Sequence, residues 1–105
     1  MVKHCNAAEF EELLRTEKRP IVVDFWATWC GPCKMLGPVY ESVEKELGER
    51  AAFVKIDVDE NIDLAHEYGI SSIPNVLIFK DGEVVDSSLG FAPKAELKAF
   101  IEKNL

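Results

Sequence analysis

The sequence predicts an α/β fold with one mixed sheet and helices against both of its faces. Three observations carry this prediction. Residues 21–27 form an apolar run of the kind that a central strand needs, strand-like and helix-like stretches take turns up to Gly69, and Asp81-Gly82 marks a hairpin ahead of a last helix.

Taken in order, Val2 to Cys5 reads as a short strand. Asn6 with Glu9 three residues later is a capping-box pair, and Phe10, Leu13 and Leu14 fall on one face of the helix it starts. Pro20 opens the run Ile21, Val22, Val23, Asp24, Phe25, Trp26, Ala27, apolar on both alternating faces except for one carboxylate, as in a strand covered on both sides. Beyond Cys33, Leu36, Val39, Tyr40, Val43 and Leu47 keep helical spacing until Gly48, and Pro38 inside that helix predicts a kink. Ala51 to Val58 reads as a second buried strand, and Asn61 to Tyr68 as a short helix stopped by Gly69. Asn75 to Phe79 and Glu83 to Leu89 are strands joined through Lys80, Asp81 and Gly82. Pro93 starts a final helix with Leu97, Phe100 and Ile101 inward.

The totals narrow the function classes. The 105 residues, 48% hydrophobic and 30% charged, suit a single domain over residues 1–105. Twelve basic against nineteen acidic side chains give a net charge of −7, a field that repels phosphate backbones and anionic lipid head groups. Nucleic acid and membrane are therefore not expected partners. Residues 1–10 hold no apolar run of signal-peptide length, and no stretch approaches the roughly 18 to 20 apolar residues that cross a bilayer. The expected location is cytoplasmic. Three unevenly spaced cysteines are too few for a disulfide-stapled scaffold, so their expected role is chemical.

Trp29-Cys30-Gly31-Pro32-Cys33 stands where a buried strand hands over to a helix, which puts Cys30 at or near the helix N-cap. Unpaired N–H groups and the helix dipole favour a thiolate there, so Cys30 is the candidate nucleophile. Cys33, one turn further on the same face, is placed to attack a mixed disulfide formed at Cys30. Pro32 fits the first turn, where its missing N–H has no intrahelical partner. On spacing alone a metal reading stays open, with Cys5, His4 or His66 completing a zinc site, although no second paired motif is present. Asp24 is the one ionisable group in its strand. Burial raises such a carboxyl toward neutrality, and it serves either as a proton acceptor or as a hydrogen-bonded structural group. Trp26 reads as core, with Phe25 on the opposite face; Cys5 reads as a silent buried hydrophobe, and His4 and His66 as solvated surface histidines.

The WCGPC stretch on a strand-to-helix junction, with Asp24 upstream, Pro38 in the following helix, Ile73-Pro74 downstream and Gly82 and Gly90 beyond, resembles the thioredoxin family over nearly the whole chain. The resemblance implies the thioredoxin fold, a five-stranded mixed sheet flanked by four helices. It implies a protein-disulfide oxidoreductase that reduces substrate disulfides and maintains cell redox balance, with Cys30 attacking, Cys33 resolving and no cofactor beyond the redox-active Cys30–Cys33 disulfide. It assigns Asp24 the deprotonation of Cys33, through water, and places Lys55 near that carboxylate. A generic X-Pro bond is trans, whereas the family carries a cis proline at the position of Pro74, facing the cysteines, where the preceding backbone, here Ile73, pairs with an extended substrate segment. Gly31, Gly90 and Trp29 are expected to line the contact surface. Asn75 departs from the family's usual threonine. The implied partners are a thioredoxin reductase as electron donor and ribonucleotide reductase, peroxiredoxin and methionine sulfoxide reductase as acceptors, and the expected state is a monomer. Two rivals remain. A secretory disulfide oxidase or isomerase would carry a targeting segment and usually another dipeptide between the cysteines, and a docking module would need no redox turnover.

Overall fold

Ile21 to Phe25 are all buried, so this strand needs cover on both faces and a neighbour on each edge, and it has all four. The computed structural model describes residues 2–105. In chain order the elements are β1 (Lys3–His4), α1 (Ala7–Thr16), β2 (Ile21–Trp26), α2 (Gly31–Leu47), β3 (Ala52–Asp57), α3 (Ile62–Glu67), β4 (Asn75–Lys80), β5 (Glu83–Leu89) and α4 (Lys94–Glu102). The sheet order is β1-β3-β2-β4-β5. β3 runs parallel to both β1 and β2, whereas β4 runs antiparallel to β2 and to β5. This is the predicted mixed sheet, with five strands and four helices.

Strand alternation sends side chains to two separate cores. Val22, Phe53, Val76 and Ile78 pack under Leu36, Tyr40 and Val43 of α2 and Leu97 and Ile101 of α4. Ile21, Val23, Phe25, Val54, Ile56, Leu77 and Phe79 pack on the other face with Phe10 of α1 and Leu64 of α3. A fully buried side chain of this size contributes about 1.5–3 kcal/mol, so β2 is held from both sides by the strongest term available to the fold.

The element ends differ from the sequence reading by a residue or two. β1 is shorter than Val2–Cys5, because only Lys3 and His4 find ladder partners, Val54 and Lys55. β2 stops at Trp26, one residue short of the buried Ala27. Pro93 is the N-cap of α4 and not its first helical residue, its ψ of 163° still being extended. The helix runs on through Pro38, although a proline there has no N–H to give the carbonyl of Lys34. The capping box at Asn6 is present, with the Glu9 N–H donating to Asn6 Oδ1 at 2.8 Å and the Asn6 N–H to Glu9 Oε1 at 3.0 Å. The hairpin turns on Asp81 and Gly82, both at positive φ (52° and 81°), the combination a two-residue loop between twisted strands requires. β5 is an exposed edge strand, and its register against β4 shifts between Ile78 and Phe79.

Candidate active site

The C-terminal end of β2 delivers the chain into the N-terminus of α2, and Cys30 is the N-cap. Its backbone is extended (φ −88°, ψ 111°), and its sulfur takes the place of the usual capping oxygen, accepting the Cys33 N–H at 3.2 Å. Cys30 and Cys33 form a disulfide across 5.2 Å between their Cα atoms. In the reduced protein the same N–H and the helix dipole favour negative charge on Cys30 Sγ. Gly31 and Pro32 fill the first turn, Pro32 where no intrahelical donor is called for.

The surroundings of the two sulfurs differ. Both are buried side chains, packed in a small cluster with Ala27, against which Trp26, Val58 and Ile73 close. Cys30 Sγ lies 3.8 Å from the carbonyl oxygen of Ile73. The Ile73–Pro74 peptide is cis, unlike a generic X-Pro bond, and the Pro74 carbonyl accepts the Gly90 N–H at 2.8 Å. Gly90 has φ +85°, a conformation that suits glycine. Trp29, next to Cys30 in the chain, is 68% exposed, and its indole N–H donates to Asp59 Oδ2 at 2.7 Å. Asn75, the departure from the family pattern, accepts a hydrogen bond from the Ser87 hydroxyl at 3.0 Å across the hairpin.

Asp24, in β2, is fully buried, and neither carboxylate oxygen has a hydrogen-bond partner among the described residues. Burial pushes its carboxyl up from 3.8 to about 6, against the pull of Lys55. Lys55 is the register partner of Asp24 on β3, with Nζ 3.9 Å from Oδ2. Tyr40 of α2 braces the same region, its hydroxyl 2.9 Å from the Val22 carbonyl and 2.8 Å from that of Val54. Of the residues considered for a zinc site, Cys5 is buried with the α1–α3 core, His4 and His66 are exposed, and both sulfurs of the pair are spent on each other. Among the described residues no group of three or more His, Cys, Asp and Glu side chains could hold a metal ion.

Two features were not evident from the sequence. Asp59, thirty positions from Trp29, meets it because β2 and β3 run in register and Trp26 faces Asp57. Trp26 was expected in the core, but it is only half-buried and packs against the cysteine cluster, with the Lys55 ammonium 4.5 Å from its ring centroid. Strand alternation carried the first half of that information; the position of the ammonium had no signal in the spacing.

The family model described as Thioredoxin matches residues 1–103. The chain belongs to the thioredoxin family. It is 51% identical over 90 residues to a thioredoxin of Bacillus subtilis (strain 168), covering 86% of each chain. It is 48% identical over 103 residues to a thioredoxin of Listeria monocytogenes serovar 1/2a, covering 98% of each. With a thioredoxin of Haemophilus influenzae the identity is 40% over 104 residues, covering 99% of this chain and 97% of that one. As a thioredoxin-family protein the chain is a protein-disulfide oxidoreductase, and Cys30–Cys33 is its redox-active dithiol/disulfide pair. Members of the family work with a thioredoxin reductase and disulfide-bearing proteins. Among the described residues no helix is long and apolar enough to cross a membrane.

Proposed function

We propose that residues 1–105 act as one domain that reduces protein disulfides with a fixed division of labour between its two cysteines. The Cys30 thiolate attacks one sulfur of a substrate disulfide; a mixed disulfide forms and the other substrate sulfur leaves as a thiolate. Cys33 gives its proton to Asp24, through water, and attacks Cys30 Sγ. The Cys30–Cys33 bond forms, the second substrate sulfur leaves, and two electrons have passed to the substrate. Lys55 lowers the cost of charging Asp24. The substrate segment lies extended along Ile73 and Pro74, with Trp29, Gly31 and Gly90 bordering it and Pro32 stiffening the ring that the two sulfurs close.

The observation that carries this reading is the asymmetry of the pair. Both side chains are nearly buried, but Cys30 Sγ is the helix cap, receiving the Cys33 N–H at 3.2 Å and lying 3.8 Å from the Ile73 carbonyl oxygen, whereas Cys33 is one turn inside the helix. An incoming disulfide reaches the first sulfur before the second.

Membership of the thioredoxin family supports the wider setting of this reading. Electrons come from a thioredoxin reductase, with no cofactor in this chain. The acceptors are cytoplasmic proteins of the ribonucleotide reductase, peroxiredoxin and methionine sulfoxide reductase kinds, and the chain works as a monomer.

Dithiothreitol-driven reduction of insulin tests the division of labour. The wild type should accelerate it, Cys30→Ser should not, and Cys33→Ser should accumulate a covalent mixed disulfide through Cys30. A mixed disulfide trapped through Cys33 in the Cys30→Ser protein, and none in Cys33→Ser, would reverse the assignment.

A further inference from the structure

The Lys55 ammonium has two places to go. On one side is Asp24 Oδ2 at 3.9 Å, deep in the sheet. On the other is an open cleft of about 310 Å³, lined by His4, Trp26, Lys55, Asp57 and Glu60 among others. Half-buried Asp57, whose Oδ1 accepts the Asp59 N–H at 2.8 Å, and exposed Glu60 offer two carboxylates in that cleft. A lysine stem that packs while its head reaches solvent is the ordinary arrangement, and the rotamer freedom of a flexible four-carbon chain favours it. Yet the Lys55 side chain is only 13% exposed, and its ammonium stands over the Trp26 ring, 4.5 Å from the centroid.

The rest of the pocket leaves room for that placement without fixing it. A Cβ added at Gly37 of α2 would lie 3.8 Å from Lys55 Nζ, ordinary contact, so the helix forms a wall but no hydrogen bond. The Asp24 oxygens offer a charge but no hydrogen bond within reach. The indole is itself held, by the cysteine cluster on one side and by the His4 ring, edge-on at 6.0 Å, on the other.

We propose that Trp26 is a positioning residue for the exchange reaction, its π-face holding the Lys55 ammonium on the Asp24 side of the cleft and away from Asp57 and Glu60. The attraction is that of a cation for a ring face, strengthened where water is excluded. Besides Lys55, the titratable groups around this assembly are Tyr40 and the cysteine pair from α2, Asp57 on β3, His4 and Cys5 at the β1 edge and Glu60 from the turn before α3. Val76, the register partner of Asp24 on β4, contributes none. The consequence for the reaction rests on Asp24 as the proton acceptor: with the ammonium seated, the carboxylate is easier to charge.

The sign of one titration separates this role from simple packing. A Trp26 that only excluded water would, on removal, admit water and lower the proton affinity of Asp24. A Trp26 that holds Lys55 does the opposite when removed, because the nearby positive charge departs. The experiment follows the Asp24 carboxyl carbon by NMR across pH 4–9 in the oxidised protein, for wild type, Trp26→Leu, Trp26→Phe, Lys55→Met and the double variant Trp26→Leu/Lys55→Met.

Trp26→Leu should raise the proton affinity of Asp24 about threefold or more, Trp26→Phe by less, and the double variant no further than Lys55→Met alone. A fall in Trp26→Leu, or a rise that persists in full on the Lys55→Met background, overturns the proposal. A wild-type measurement stands even if Trp26→Leu does not fold: the Lys55 ε-methylene protons should be shifted upfield by the indole ring current, and unshifted protons would overturn it too. Failure of Asp24 as the proton acceptor would show elsewhere, in the rate of mixed-disulfide resolution, with these midpoints unmoved.

Discussion

Replacing Asp24 by asparagine should stabilise the oxidised protein at neutral pH and leave it nearly unchanged at pH 4. The carboxyl is wholly buried, and burial raises it from 3.8 to about 6 even with Lys55 opposing. The folded chain therefore holds a proton that the unfolded chain has released, throughout the interval between those two values. More protons bound in the folded state means stability that falls as pH rises, starting near pH 4 and complete by about pH 7. At about 1.4 kcal/mol for each pH unit, the displacement from 3.8 to about 6 corresponds to about 3 kcal/mol. That is a large share of the roughly 5–15 kcal/mol by which small domains are stable.

Asparagine has nearly the same shape and cannot ionise, so Asp24→Asn removes this pH-dependent loss while keeping the volume filled. Urea unfolding of both oxidised proteins at pH 4, 5, 6, 7 and 8 reads it directly, with equal m-values as the check that only stability has changed. The expected difference, variant minus wild type, grows from near zero at pH 4 to about 3 kcal/mol at pH 7. A difference that stays flat across the series, or that shrinks as pH rises, would refute the reasoning: the carboxylate would then be solvated or hydrogen-bonded in the folded chain. The same substitution should slow resolution of the mixed disulfide more than its formation, which quenched-flow trapping of the intermediate can resolve.

Two structural predictions rest on single side chains that tie elements together. Asn61→Ala removes both the bond from the Ala7 N–H at the start of α1 and the bond to the Asp57 carbonyl, each 3.0 Å, and should cost about 1–2 kcal/mol in denaturant unfolding. Tyr40→Phe removes the hydroxyl that reaches the Val22 and Val54 carbonyls from α2, and should cost about 1–2 kcal/mol with no change in the pH dependence of stability.

The fold was legible where one local signal was enough. The two-sided apolar run at Ile21–Ala27, the Asn6–Glu9 box and the Asp81-Gly82 turn each require one geometry, and each has it. The ends of elements were less legible, because a strand ends where its ladder partners end and not where its apolar pattern does. Val2 and Cys5 are buried without belonging to β1 for this reason. At the site, the strand-to-helix junction already gave the cysteines unequal positions. Asn61 shows the limit: the pattern starts a helix there, and it stands at the N-cap of α3, yet it makes no side-chain cap bond and spends its amide on α1 and β3 instead. The Trp29–Asp59 bond and the Trp26–Lys55 contact likewise depend on strand register, which joins residues about thirty positions apart.

Asp24 shows how the stability of this fold and its chemistry oppose each other. A serine or threonine within reach of either carboxylate oxygen would donate a hydrogen bond, favour the charged form and recover much of the lost stability. It would also lower the proton affinity of the carboxyl below the range in which it can take a proton from a thiol near neutral pH. The fold leaves both oxygens unpartnered instead, and a single cation at 3.9 Å limits the penalty without abolishing it. Ile21, Val22, Val23 and Phe25 in the same strand are fully or almost fully buried, and each contributes about 1.5–3 kcal/mol. Together they exceed the penalty at Asp24 severalfold. The placement of an ionisable carboxyl in the central strand is therefore possible because that strand is the best-buried segment of the sheet, and the same burial raises its proton affinity to about 6, which the proton-acceptor role proposed for Asp24 requires.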